Sequence, residues 1–374
     1  MNRSLKLFNV KGIDIRLHIT FPLILVWAAL QFGQIFGGLN GALFGVVAIT
    51  ILFVFVTLHE LGHSFAAMAY GIPVKQIILS PIGGVAQLRR MPEKPGQEFV
   101  ISIAGPAVNI LLAVPMLAIA LALGLDLGTM LSGISGMTGA TLLGLFSYVF
   151  MANIFLAVFN LIPAFPMDGG RILRSLLALR LDYARATSLA ANVGKVFAVL
   201  FGIYGLLNGS IFLIFIAIFI FGAASQEARM TAARQILRGH TVQQAFSSAT
   251  YHLEPSYTLQ QAANMAAYSG QRSFAVVSGD KLVGFLTHDV LQQALRTNPA
   301  HTPVSTVMRT NVRPVTPNSD LYKVQERMQA ERVDALPCVS EIGRFRGLIT
   351  GPKIASLVRL ALSQPPIVTG SQSA

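Results

Sequence analysis

Charge is what this chain has least of. Lys, Arg, Asp and Glu together make up 12% of its 374 residues, about half the share of an ordinary soluble domain. That scarcity excludes a water-facing surface along the whole length. A single cysteine, Cys338, excludes an internal disulfide framework and fits a reducing compartment. The net charge of +12 comes with no compact basic cluster and no interleaving of basic with aromatic residues, so nucleic acid is excluded as a partner. The charge that exists is unevenly spread: residues 1–225 hold 13 Lys and Arg and 7 Asp and Glu, and the remaining 149 residues hold 15 and 9. The first part reads as membrane-embedded and the second as soluble.

What is present in quantity is apolar, 53% of the chain. A spanning helix needs about 20 mostly apolar residues. Six stretches meet or approach that length: 19–36, 41–70, 97–124, 141–162, 187–207 and 210–224. The first is followed by Gly37, Gly38 and Leu39 instead of a cleavage site, so it is read as a retained helix and not a signal peptide. The last is short and separated from the fifth by Asn208-Gly209 alone, as in a tight helical hairpin. Basic residues sort the connections. Arg3, Lys6, Lys11 and Arg16 precede the first stretch; Lys75, Arg89, Arg90 and Lys94 follow the second; Arg171, Arg174, Arg180 and Arg185 follow the fourth; Arg229, Arg234 and Arg238 follow the sixth. The connections 37–40, 125–140 and 208–209 carry no Lys or Arg. Basic residues resist translocation, so both termini are expected in the cytoplasm.

Inside the second apolar stretch lies His59-Glu60-Leu61-Gly62-His63. Residues four apart share a helix face, so both imidazoles can reach one ion while Glu60 turns toward a water beside it. Zinc suits that arrangement, because it brings the pKa of a bound water toward about 7 and leaves Glu60 to take the proton. Ionisable groups inside a membrane helix are costly and persist where they face a cavity, a partner or an ion. A catalytic zinc site has three protein ligands and one open position. Asp126 falls at the opposite, non-cytoplasmic side, whereas Asp168 follows the fourth stretch on the side of His63 and is the better third ligand. The alternative role for Asp168 is a cap for a helix over 171–179. Two prolines and two glycines in Pro163-Ala164-Phe165-Pro166-Met167-Asp168-Gly169-Gly170 interrupt helix and let backbone turn closely.

In these residues and their order the chain resembles the site-2 protease family of intramembrane zinc metalloproteases, in its compact six-helix bacterial and archaeal branch. The resemblance is carried by HELGH at 59–63, GGVAQLRRMPEKPGQEFVISIAGPAVN at 83–109 and FNLIPAFPMDGGRIL at 159–173. Met167 stands where leucine is usual, a volume-conserving change. The resemblance implies His59, His63 and Asp168 as ligands of one Zn2+ and Glu60 as general base. It also implies substrate or oxyanion contacts for Asn109 and Asn160, whose amides donate and accept. Helix-to-helix hydrogen bonding is the other reading of both asparagines. Implied substrates are membrane proteins such as anti-sigma factors, tethered transcription regulators or remnant signal peptides. A transporter with a regulatory tail and an inactive metal scaffold are the competing classes, and Glu60 beside the ligands argues for hydrolysis over both.

Residues 72–90 alternate prolines, apolar runs and Gly83-Gly84, as in a β-hairpin dipping into the membrane whose edge receives an extended substrate. An ordinary cytoplasmic β-loop is the alternative. Residues 243–362 contain two weakly similar units, with Leu259 matching Leu321, Ala262 matching Val324, 274–277 matching 336–339 and 284–287 matching 347–350. The pair resembles tandem CBS domains, which implies adenosine-nucleotide binding and homodimerisation. Thr287 and Asp289 in the first unit and Thr350 in the second are the nucleotide candidates. Their spacing departs from the family pattern, since Asp289 comes one position early and Lys353 stands where an acid is usual, so a docking module is the other reading. The expected architecture is a polytopic α-helical membrane domain of about six spans over 1–225 with a membrane-associated β-hairpin. A basic linker follows over 226–242, then soluble α/β CBS domains over 243–300 and 301–362, and a disordered tail over 363–374.

Overall fold

The computed structural model describes residues 4–81, 83–88, 94–125, 128 and 140–363. Arg89, Arg90, Asp126 and, apart from Ser363, the tail expected over 363–374 lie outside the described residues. The chain divides into two compact units, Met1–Ala228 and Arg229–Ala374.

The first unit opens with a β-hairpin that the charge-based reading of residues 3–16 passes over. Strands β1 (Ser4–Val10) and β2 (Ile13–His18) pair antiparallel around Lys11 and Gly12, both at positive φ. Apolar and polar residues alternate in Ile13-Asp14-Ile15-Arg16-Leu17-His18, which puts Ile13 and Ile15 on a fully buried face. Strand β2 then runs parallel to β3 (Val74–Ser80), which pairs antiparallel with β4 (Gly83–Leu88). The hairpin expected over 72–90 is thus half of a four-stranded sheet in the order β1-β2-β3-β4, with β4 at an edge.

Helix α1 (Pro22–Phe36) is 15 residues long, and α2 (Gly38–Ala69) follows at once. The apolar stretch expected over 19–36 is helical over its last 15 residues. Residues 19–21 are taken up by the turn out of β2, Pro22 starts the helix, and Gly37 at φ 81 ends it. At ~1.5 Å per residue it falls short of a bilayer crossing. Among the described residues five helices are long and apolar enough to cross: α2, α3 (Pro95–Ala122), α4 (Leu142–Leu161), α6 (Tyr183–Leu207) and α7 (Ile211–Arg238). The short α5 (Asp168–Leu177) lies between α4 and α6. Helix α7 is longer than the expected 210–224 and absorbs most of the expected linker. Its apolar run gives way to Ala, Gln, Glu, Met and Arg, which favour helix without needing lipid. Small residues let helices close on one another. A side chain at Gly41 or Gly45 of α2 would strike Phe32 and Ala28 of α1, and one at Gly62 would strike Ala104 and Val108 of α3.

The second unit repeats one plan. Strand β5 (His252–Leu253), α8 (Leu259–Ser269), β6 (Phe274–Ser278), β7 (Lys281–Leu286) and α9 (His288–Thr297) form its first half. Helix α10 (Leu321–Glu331), β8 (Ala335–Val339), β9 (Phe345–Thr350) and α11 (Gly351–Ser363) form its second. The matched residues occupy matched places: Leu259 and Leu321 are fully buried at the starts of α8 and α10. The halves interleave. Residue Ser247 bonds Leu348 of β9, while Arg309 bonds Phe285 of β7. Leu237 and Val242 pack with Leu321 and Ile349, and Val304 packs with Leu259 and Leu286. Cuts at 242/243 and 300/301 therefore pass through both cores. Cys338 is fully buried on β8, and burial pushes its thiol up to about 11, which leaves it an inert apolar side chain.

Candidate metal centre

Helix α2 presents His59 and His63 one turn apart, and their Nε2 atoms lie 3.1 Å from each other. Asp168 is the first residue of α5, and its Oδ2 lies 3.2 Å from His59 Nε2 and 3.0 Å from His63 Nε2. These three residues form the one metal-competent cluster of His, Cys, Asp and Glu among the described residues. The approach of α5 is built by the preceding loop. Ala164 bonds Ile162, Met167 bonds Ala164, and Gly169 and Gly170 press against Leu161, Ile162 and Phe165 so closely that a side chain at either would collide with backbone. Gly105 of α3 lies against both imidazoles at their Nε2 atoms, and any side chain there would meet those ring atoms. Glu60 sits between the histidines in sequence and packs against Gly84 of the edge strand β4.

The donor set tests well against a zinc ion. His63 Nδ1 donates to the main-chain oxygen of Ile101 at 2.6 Å, and His59 Nδ1 donates to Asn109 Oδ1 at 2.5 Å. With the proton held on Nδ1, each Nε2 keeps its lone pair, and both lone pairs and a carboxylate oxygen converge on one volume. Two imidazoles and a carboxylate make a ligand set used by catalytic zinc.

Asn109 is completely buried, with its Oδ1 on His59 and its Nδ2 donating to Asn153 Oδ1 at 2.7 Å. Its amide is thus engaged in orienting a histidine, a different contact from the substrate contact expected. Asn160 Nδ2 donates to Leu156 of its own helix at 2.9 Å. Sequence reasoning passed over Asn153, and also over Glu98 as the partner of Arg174. Arg174 Nε donates to Glu98 Oε1 at 3.0 Å and Nη1 to Glu227 Oε1 at 2.5 Å, while Tyr183 Oη donates to Glu98 Oε2 at 3.1 Å. The guanidinium lies over the rings of Phe165 and Tyr183. This buried cluster ties α5, and Asp168 with it, to α3, α6 and α7. The signal for Asn153 and Glu98 was a polar side chain close to apolar sequence. In the second unit Thr287 precedes α9, Asp289 lies in its first turn and Thr350 ends β9. None of them lines either cavity described there, of about 210 Å³ around Arg309 and Arg313 and about 340 Å³ around Lys323 and Arg327.

Fold and site define a class: a multi-pass membrane protein with a metallopeptidase-type centre on its apolar helices. Residues 47–201 match the model of peptidase family M50, and residues 304–357 match the CBS domain. A zinc metalloprotease of Methanocaldococcus jannaschii is 39% identical over 241 residues, covering 64% of this chain and 64% of that protein. A relative in Synechocystis sp. is 28% identical and covers 93% of this chain and 94% of its own length. Rip3 of Mycobacterium tuberculosis is 27% identical over all of this chain and 98% of its own length.

Proposed function

We propose that the chain is a zinc-dependent endopeptidase that cleaves membrane proteins in or near their transmembrane segments. The observation that carries this reading is the convergence of His59 Nε2, His63 Nε2 and Asp168 Oδ2 on apolar helix α2 with Glu60 beside them. Bound zinc supplies an electrophile and an acidified water. His59, His63 and Asp168 hold the ion. Glu60 accepts the proton of the attacking water and returns it to the leaving amine. Strand β4, at the edge of its sheet and packed against Glu60 through Gly84, offers main-chain groups to an unwound substrate segment as an added strand. Asn160, next to the loop that carries Asp168, stays available to the substrate backbone through its carbonyl oxygen. Substrates of this kind are single-span or hairpin proteins: anti-sigma factors, tethered regulators or remnant signal peptides.

Both termini and the second unit lie in the cytoplasm, by the distribution of Lys and Arg. Residues 243–300 form a first CBS copy beside the matched second, supported by the shared order of elements. The pair modulates cleavage, takes an adenosine nucleotide near Thr287, Asp289 and Thr350, and brings two chains together. The test of the catalytic reading is Glu60→Gln in detergent-purified protein. It is expected to keep one zinc per chain and to lose cleavage of a membrane substrate by about 10²-fold or more. Unchanged cleavage refutes the mechanism, and wild-type protein without zinc refutes the site.

A further inference from the structure

The two imidazoles reach the same protonation pattern by unequal routes. For His63 one step suffices: the main-chain oxygen of Ile101 can only accept, so Nδ1 must carry the proton. His59 instead faces a carboxamide, which can offer either an oxygen or an NH2 group depending on a half-turn about one bond. With NH2 toward it, His59 Nδ1 would have to accept. The proton would then sit on Nε2, the atom that faces His63 and Asp168, and a protonated nitrogen cannot bind a metal.

What sets the half-turn is Asn153 on α4. Its Nδ2 donates at 2.8 Å to the main-chain oxygen of Asn109, a group that can only accept. That turns Asn153 Oδ1 toward the Asn109 side chain, whose Nδ2 donates to it at 2.7 Å. Asn109 Oδ1 is left facing His59, 2.5 Å from Nδ1. Orientation passes from one main-chain carbonyl through two carboxamides to an imidazole, across three helices. Both asparagines are completely buried and His59 nearly so, so solvent does not compete for these bonds.

We propose that Asn153 is a positioning residue of the metal centre, fixing the orientation of Asn109 and through it the coordinating face of His59. This rests on the zinc reading above. Partners one shell behind a metal ligand typically contribute about 10–100-fold in metal affinity. The interaction is specific in a way that a helix-to-helix staple is not: it acts only while residue 109 is a carboxamide with two unlike ends.

The test is a double-mutant cycle on the detergent-purified full chain, with the zinc dissociation constant read by competition against a chromophoric chelator. Asn153→Leu keeps the volume and removes both hydrogen-bonding groups, and is expected to weaken zinc by no more than the about 10–100-fold of a direct partner of a ligand. Asn109→Asp presents an oxygen to His59 in either orientation, so the zinc affinity of that variant, whatever its own value, does not depend on which way residue 109 is turned. Adding Asn153→Leu to Asn109→Asp is then expected to cost little more. Thermal unfolding in excess EDTA reads the α3–α4 contact itself and is expected to fall with Asn153→Leu in both backgrounds. If Asn153→Leu does not purify folded, Asn153→Ser enters the same cycle. Unchanged zinc affinity on loss of Asn153, or an equal loss in both backgrounds, overturns the proposal. Wild-type protein that binds no zinc overturns the metal reading and this one with it. Zinc-loaded wild type whose affinity ignores Asn153 overturns this one alone.

Discussion

In the first unit the buried side chains include Glu98, Asn109, Asn153, Asp168, Arg174 and Thr187, while Leu111, Phe155, Leu207 and Phe212 face outward. In the second unit the fully buried side chains include Leu253, Leu259, Phe274, Leu286 and Leu321, and buried polar ones among the described residues reduce to Thr231, Ser273 and Thr287. The difference follows from solvent. Lipid tails are as apolar as leucine, so burying leucine between membrane helices gains little, and close contact of small residues with polar bonds holds the helices together. In water, apolar burial does that work. A polar side chain in the first unit is therefore informative, and in the second it is ordinary.

The sharpest way to break this contrast is at the centre itself. Asp168→Ala is expected to take zinc from one per chain to none after dialysis, by elemental analysis; retained zinc would mean that the converging side chains are not the ligands. Next, Arg174→Met leaves Glu98 and Glu227 without their cation. Breaking a buried pair in this way costs about 3–5 kcal/mol, read as a lower unfolding temperature in detergent, and Glu98→Gln in the same chain is expected to restore part of it. For the second unit, Leu321→Ala is expected to cost about 2–5 kcal/mol, against about 0.5 kcal/mol or less for the outward-facing Leu111→Ala in the first. Equal costs for the two leucines would erase the contrast. The smallest effect concerns the nucleotide candidates. Millimolar ATP is expected to raise the unfolding temperature of the full chain by a few degrees at most, as for about 2.7 kcal/mol of ligand stabilisation or less. Thr287→Val is expected to abolish that rise; no rise in the wild type favours a docking module.

The same contrast explains what could be read from sequence. His59, Glu60, His63 and Asp168 stood out because each is polar in or beside an apolar run, and their spacing follows from one helix turn and one loop. Asn153 and Glu98 carried the same signal, but their partners lie 44 and 76 residues away, and no local pattern pairs them. Arg174 was legible only as one of several basic residues after the fourth span. The β1-β2 hairpin was present as strict alternation in Ile13–His18, yet its parallel pairing with β3 joins segments some 60 residues apart and needs the fold. The short α1 was hidden because hydropathy counts apolar residues without asking which are spent on a turn. In the second unit the repeat was legible through Leu259 and Leu321, whereas the exchange of segments between halves was not, since both exchanged pieces are short and weakly patterned.

Gly105 carries a consequence for sorting relatives of this chain within genomes. Its bare Cα lies where any side chain would meet the ring atoms of His59 and His63. In a relative that keeps both histidines but carries alanine or serine at the matching position, their rings must shift away from the positions that converge on Asp168. Such a gene product is expected to have lapsed into a non-hydrolytic paralogue while its HExxH signature still reads as intact. The glycine, more than the conspicuous histidines, is the character to score.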